Sequence, residues 1–386
     1  MTVVAATIAG VLAFPALASA DSGVPPATFG AQGLKVSRLT AAEQMTKDDP
    51  VPGRAFSSPV MLADPDNPRV IVAAIAELRT RVCYLARSTN AGKSWHILPA
   101  LPAPPSYPYC TNTFGGAPQA ELAWGRDHTL YYALSGFDNA DGGENRVSNY
   151  SVLLARSTDL GNTWTTSLVT NNRGKTGANV TFDAPVLSVA VDTSGLQDTV
   201  YVGFQEGHPG ATPAPPSASM VATSTDGGKT FSPPVNINQF ANTTVVVNGT
   251  AYPVQMRAPF LAVSSSGTVV AVSGPNSVST NPIPGSPNEP MMTARSTDQG
   301  KTWTVEVLSP PTQFIRGPVI QAGLGWTPEG GPLGTFVTAY QAAPNRAAGE
   351  SDIDAQYSSD GGVTWSAPVR INDDNQAQEY LSFLPY

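Results

Sequence analysis

The chain is poor in charge, in cysteine and in histidine, and each scarcity excludes something. Only 13% of its 386 residues are Asp, Glu, Lys or Arg, so helix formers such as Glu and Lys are few. Gly (35) and Pro (36) together approach a fifth of the chain, which suits short strands joined by turns and predicts an all-β protein. The net charge is -8 and no run is rich in Lys or Arg, so there is no footprint for a phosphate backbone or anionic lipid. Nucleic acid is excluded as a partner on that ground. The three histidines, His96, His128 and His208, are not spaced with the cysteines as a zinc site requires, and no metal site is assigned. After the first twenty residues no stretch is long and apolar enough to span a membrane.

Those twenty residues, MTVVAATIAGVLAFPALASA, end in Ala18-Ser19-Ala20, the small-residue pattern of a signal-peptidase site. They predict a signal peptide over 1–20 and a secreted, extracellular protein. No basic residue precedes the apolar run, so either the start lies upstream or the signal is weak. An N-terminal membrane anchor is the alternative reading. The two cysteines, Cys83 and Cys110, lie in a strand and in the Pro-rich connection 101-LPAPPSYPYC-110 that follows it. In an exported protein such a pair is read as a disulfide pinning that connection to the scaffold, with two free thiols as the alternative.

What the chain does have is repetition. The stretches 87-RSTNAGKSW-95, 156-RSTDLGNTW-164, 223-TSTDGGKTF-231, 295-RSTDQGKTW-303 and 357-YSSDGGVTW-365 are variants of one element. From Ser88 to Ser157, Ser224, Ser296 and Ser358 the steps are 69, 67, 72 and 62 residues, about one four-stranded unit. A second repeat, a tetrad ending in Pro before an apolar strand, alternates with it: 56-FSSP-59, 115-GGAP-118, 182-FDAP-185, 256-MRAP-259, 315-IRGP-318 and 382-SFLP-385. Four short strands, A to D, run from each tetrad through the turn element and beyond. Stacked radially, such sheets form a β-propeller; a solenoid is the structural alternative, but its repeats are usually shorter. Five blades are complete. The last tetrad opens a sixth that the chain does not finish, with 34-LKVSRLT-40, in the N-terminal segment 21–55, as its expected closing strand.

Within the turn element the Ser and Asp side chains can accept backbone N–H bonds, the Gly supplies a positive φ, and the aromatic restarts the next strand. Asn90, Asp159, Asp226, Asp298 and Asp360 are therefore read as turn-capping residues. Trp95, Trp164, Phe231, Trp303 and Trp365 are read as packed anchors.

These residues resemble the Asp-box, or bacterial neuraminidase (BNR) repeat, of the sialidase superfamily, over residues 56–386. The resemblance implies a six-bladed β-propeller. By itself it implies the fold and not the reaction, since similar boxes occur in other glycosidases and in proteins without catalysis.

Strand direction locates function at the end away from the boxes, where the tetrads and the long B-to-C connections gather: 135–149, 205–219, 273–290 and 341–352. Sialidases similar to this chain open the first blade with Phe/Tyr-Arg-Ile-Pro, whose Arg joins two arginines of later blades to clamp a substrate carboxylate. Here Ser57 stands at that offset, a departure from the pattern, while Arg257 and Arg316 hold it in later tetrads and are expected anion contacts. A structural network, with Asp183 paired to Arg257 along the channel, is the competing reading. The resemblance also carries Glu77 and Arg79 over as substrate-binding residues, from a family strand ending Ala-Glu-Gly-Arg. No Asp occupies the loop that follows, and the family's acid/base Asp and Tyr nucleophile have no counterpart here. Asp183 and Glu206 are replacement catalytic carboxylates by position. Calcium is considered for the acidic loop 138-DNADGGEN-145, and no other cofactor is expected. The expected protein is a monomeric, glycan-acting or glycan-binding propeller, of exo-α-sialidase type if it is a glycoside hydrolase. The alternative is a non-catalytic module that recognises carbohydrate or protein.

Overall fold

The structure is a computed structural model, and it describes residues 44–47, 49–51, 53–110, 120–138, 149–172, 187–206, 218–242, 244–247, 250–253, 256, 259–273, 291–308, 322–342 and 352–371. The first sheet consists of Phe56–Ala63 (β1), Ile71–Glu77 (β2), Val82–Ser88 (β3) and His96–Ile97 (β4). The second takes Ala120–Trp124 (β5), Leu130–Phe137 (β6), Tyr150–Ser157 (β7) and Thr165–Asn171 (β8). The third takes Ser188–Asp192 (β9), Thr199–Glu206 (β10), Ala218–Ser224 (β11) and Val235–Asn236 (β12). A separate hairpin, Thr244–Val247 (β13) with Thr250–Pro253 (β14), precedes the fourth. The fourth sheet is Phe260–Val263 (β15), Val269–Ser273 (β16), Met292–Ser296 (β17) and Thr304–Val307 (β18). The fifth is Ala322–Thr327 (β19), Thr335–Ala342 (β20), Asp352–Ser358 (β21) and Val369–Arg370 (β22). In each the four strands pair antiparallel in chain order.

The sheets stack through their first strands, β1 against β5, β5 against β9, β9 against β15 and β15 against β19. They are blades of a β-propeller. Four apolar clusters fill the four spaces between consecutive blades. The second strand of a blade lies between two neighbours, so both its faces must be apolar or small. In β6 every residue is buried, and β2, β10 and β16 are nearly so, which explains the continuous runs of Val, Ala, Ile and Tyr there. Each large side chain so buried stabilises the stack by roughly 1.5–3 kcal/mol.

The fifth blade departs from this rule. In β20, Phe336, Thr338 and Tyr340 are buried against the fourth blade, while Thr335, Val337 and Ala339 on the other face are only half-buried. Among the described strands, none of the fifth sheet packs against the first sheet as consecutive sheets do. Five blades are thus what the described residues form, and the expected sixth, incomplete blade has no support in them. The segments expected to build it, 34–40 and 382–385, lie outside the described residues.

The first blade's outer face holds a smaller apolar cluster, with Met45 packed against it. Arg54 sits over the rings of Phe56 and Tyr84, 5.2 and 4.9 Å from their centroids, and its Nε donates to Asp49 Oδ2 at 2.8 Å. The cysteine pair is bonded: Cys83 on β3 and Cys110 are joined, and both are buried. Backbone bonds from Leu98 N to Leu85 O, Leu101 N to Cys83 O and Cys110 N to Arg81 O lace the connection to β3 along its length.

Candidate functional site

The two ends of the blades are built differently. At one end lie the hairpins that join third and fourth strands, which are the five repeated turn elements. In each, the opening Ser accepts the Gly N–H four residues on, at 2.8–2.9 Å (Gly92, Gly161, Gly228, Gly300 and Gly362). The same hydroxyl donates to the carboxylate two residues on, as from Ser224 to Asp226 at 2.7 Å. Asp226 then accepts Thr230 N–H at 2.9 Å and the Thr230 hydroxyl at 2.6 Å. Asp159, Asp298 and Asp360 repeat this pattern with Thr163, Thr302 and Thr364. Asn90 achieves the same closure with one bond reversed: its Oδ1 accepts Ser94 N–H at 2.9 Å, and its Nδ2 donates to the Ser94 hydroxyl at 2.8 Å.

Burial pushes these carboxyls up, but the hydroxyl and N–H donors outweigh it and hold Asp226 and Asp360 down at about 2. Asp159 and Asp298 are lowered by the same balance. Such carboxylates have no capacity left for proton transfer. Trp95, Trp164 and Trp303 donate from the indole to the box Gly carbonyl at 3.0–3.1 Å. Phe231 packs into the space between the second and third blades, and Trp365 into that between the fourth and fifth.

This end is also where blades are tied together. Asp198 accepts the Tyr131 hydroxyl at 2.9 Å and Arg126 N–H at 3.2 Å, from the third blade to the second. His128 Nδ1 lies 2.8 Å from Asp64 Oδ2, between the second and first. Asp64, Asp66 and His128 are the one group among the described residues whose donor atoms approach as metal ligands do, within 4.8 Å. Buried Asp64 already accepts Asp66 N–H and Asn67 N–H besides facing His128, so the group reads as a clasp between blades.

At the opposite end the second strands finish and the third strands begin, as at Glu206 and Ala218. Asp183, Arg257 and Arg316 lie outside the described residues, as do most of the long connections and residues 139–145 of the acidic loop. Asp138, which opens that loop, accepts Asn149 N–H at 3.0 Å. Ser57 falls in β1 opposite Ala76, next to a register shift that ends at Val60. Glu206 is the last residue of β10, opposite Ala218, and is partly buried.

Glu77 is fully buried, and its carboxylate is filled from within: Oε1 accepts Ala55 N–H and Arg79 N–H, and Oε2 accepts Thr80 N–H and the Thr80 hydroxyl, both at 2.6 Å. It holds the short turn closed. Arg79 is exposed beside it, its Nη1 over Gly53, where an added β-carbon would come within 3.3 Å.

One acidic residue was not singled out from sequence. Glu121 is on β5, the innermost strand of the second blade, opposite Ala133 on β6. Its face of the strand is that of Ala123, which packs toward Val189 and Val191 of the third blade. The side chain keeps partial access to solvent, yet it is enclosed enough that burial pushes its pKa up to about 7. The one hydrogen bond it accepts among the described residues is from its neighbour Leu122 N, at 3.4 Å. The available signal was a single acid inside the apolar stretch 119-QAELAW-124 after a tetrad.

The model of the BNR/Asp-box repeat matches residues 356–367, the turn element of the fifth blade. No curated protein sequence matches the chain. Among solved structures, the alpha-L-arabinofuranosidase of Fusarium graminearum is similar at 17% identity and a TM-score of 0.48, over 81% of this chain and 79% of that one. An alpha-L-arabinanase of Penicillium chrysogenum is similar at 15% and 0.47, over 82% and 86%. The sialidase of Trypanosoma rangeli is similar at 14% and 0.41, over 66% of this chain and 37% of that one. The substrates named belong to those proteins.

Proposed function

We propose that this sialidase-like Asp-box β-propeller is an exported, monomeric protein that engages glycans at the end of the blades opposite the boxes. The observation that carries the reading is the contrast between the two ends. At the box end the Ser hydroxyls and the Asp or Asn side chains of the five turns spend their bonds within their own turns, from Ser88 with Gly92 in the first to Asp360 with Thr364 in the fifth. That end is a set of fasteners. At the other end, where second strands finish and third strands begin, lie the partly buried carboxyls Glu121 and Glu206. Loops collected on one rim of a rigid scaffold are where ligand contacts are usually built. Export is supported by the leader-like residues 1–20 and by the Cys83–Cys110 bond, of a kind that persists in oxidising compartments.

Hydrolysis of a terminal glycosidic bond is a second reading, and Glu121 favours it, because a carboxyl that stays protonated near neutral pH is what a leaving sugar oxygen requires. Both readings are tested with the whole chain. Binding to immobilised sialylated and arabinose-containing glycans tests engagement, and release of fluorophore from 4-methylumbelliferyl sialosides, arabinofuranosides and other aryl glycosides tests hydrolysis. The absence of both binding and release above blank overturns the proposal, and binding without release leaves a recognition module.

A further inference from the structure

Resting on the hydrolytic reading above, we propose that Glu121 is the proton donor of the site, the carboxylic acid that protonates the leaving oxygen of a bound glycoside. The placement argues for this first. Glu121 is the second residue of an innermost strand that begins at the tetrad end and runs toward the boxes, so it sits in the half of the strand nearer the open end. It stands opposite Ala133, three pairs from the box end of the strand, and the same register position in the other blades is Val60, Ser188, Phe260 and Gly323.

Those positions show what the fold itself wants there. Val60 packs against the cluster between the first and second blades, and Phe260 against that between the fourth and fifth. Ser188 spans the next space with a hydrogen bond from its hydroxyl to the carbonyl of Pro259, at 2.5 Å. An apolar side chain or a neutral hydroxyl therefore serves the packing, and none of the four equivalents is charged. A carboxyl at this place, opposite an Ala, loses hydration and, among the described residues, gains only one long bond from its own neighbour. Local choices that work against the fold are characteristic of functional positions.

The strands packed against β5 bring no charge to neutralise it. β1 carries no ionisable side chain, and on β6 the ionisable groups are Tyr131, which bonds Asp198, and Tyr132. On β9 the only acid is Asp192, at the box end of the strand, and on β2 it is Glu77, whose oxygens are filled by its own turn. Burial is the dominant influence on Glu121, and it keeps the acid protonated up to about pH 7.

In the step assigned to it, the Glu121 proton passes to the glycosidic oxygen as the bond from that oxygen to the anomeric carbon breaks, and the bonding pair stays with the oxygen. Water supplies the hydroxyl that ends on the anomeric carbon and the proton that restores Glu121. The sum is a glycoside and water giving a free sugar and an alcohol.

The test compares wild type with Glu121→Gln on two substrates of the sugar found in the panel. One has a phenyl leaving group, a poor one (pKa about 10) that depends on a proton, and the other a 2,4-dinitrophenyl group, which leaves without one. The expected result is a loss of about 100-fold or more in kcat/KM on the first and under about tenfold on the second. The fall in wild-type kcat/KM above about pH 7, which reports the acid of the free protein, should disappear in the variant. Equal losses on both substrates, or none on either, overturn the assignment while the hydrolytic reading stands. No hydrolysis by wild type overturns both. Folding is read separately by thermal melting from pH 4 to 9. The wild type should lose stability relative to Glu121→Gln as pH rises from the ordinary glutamate value through about 7, and a flat difference also overturns the assignment.

Discussion

The guanidinium of Arg295 donates from Nε to the carbonyl oxygen of Gly361, 2.8 Å away, and so joins the turn element of the fourth blade to that of the fifth. Arg87 does the same from the first blade to the second, from Nη1 to Leu160 O at 2.8 Å. From the third to the fourth, the Thr223 hydroxyl reaches Gln299 O at 3.1 Å. In each case the donor is the residue just before the Ser of the box, so three of the four junctions between successive boxes are bridged in the same way. In the fifth blade that position is Tyr357, which is 47% exposed.

Replacing Arg295 with Ala is expected to lower unfolding stability by roughly 1.5–3 kcal/mol, the usual worth of a hydrogen bond from a charged group with its acceptor left behind. Arg295→Lys should recover little, because an ammonium on a flexible stem does not reproduce the guanidinium's fixed geometry. Urea unfolding of the two variants checks both points, and a fully stable Arg295→Ala would show that the link is incidental.

The box carboxylates should make the protein acid-sensitive. Asp226 and Asp360 sit at about 2 in the folded chain, below the unfolded value of about 3.9. Their contribution is therefore fully present above about pH 4 and is lost as pH falls toward 2. Asp226→Asn should reduce the slope of melting temperature against pH in that window. It should remain folded at neutral pH, as Asn90 already closes the first box; Asp226→Ala should cost about 1–3 kcal/mol by stranding its donors.

Glu77→Ala is expected to damage the fold rather than glycan binding. Four donors lose their acceptor in a buried turn, so a loss of about 3 kcal/mol or more is expected. Burial raises the Glu77 carboxyl, but the Thr80 hydroxyl, the Thr80 N–H and the Ala55 and Arg79 N–H groups bring it below its ordinary value. Its contribution is thus present above the ordinary glutamate pKa and fades on acidification. Unchanged melting together with lost glycan binding in this variant would reverse the assignment.

Reduction of Cys83–Cys110 should release the connection between the first and second blades. The bond closes a sequence separation of 27, for which about 3 kcal/mol is the expected stabilisation. The Cys83→Ser, Cys110→Ser double variant should melt lower than wild type and show no further shift with dithiothreitol, whereas the wild type should shift down.

The boxes were legible in the sequence because their bonds are short in chain distance. Ser224 reaches two and four residues ahead and Asp226 three and four, so the spacing of Ser, Asp, Gly and Thr is the structure. For Glu77 the sequence and the structure point in different directions. Its resemblance to a family strand pointed outward to substrate, while three of its four bonds come from Arg79 and Thr80 and the fourth from Ala55, twenty-two residues back. The first residues of the anticipated site, Asp183, Arg257 and Arg316, lie outside the described residues, and their roles stand as expectations.

By itself, then, the sequence determined the blade: its four strands, its turn chemistry and the end at which function should not be sought, since all of these follow from hydrogen bonds and alternation within some seventy residues. Tertiary structure alone decided what stands between blades. The Arg295 bond to Gly361, the half-buried face of β20 and the enclosure of Glu121 all depend on which sheet stacks on which. Desolvation is set by neighbours far away in the chain, and no local pattern records how much water they remove.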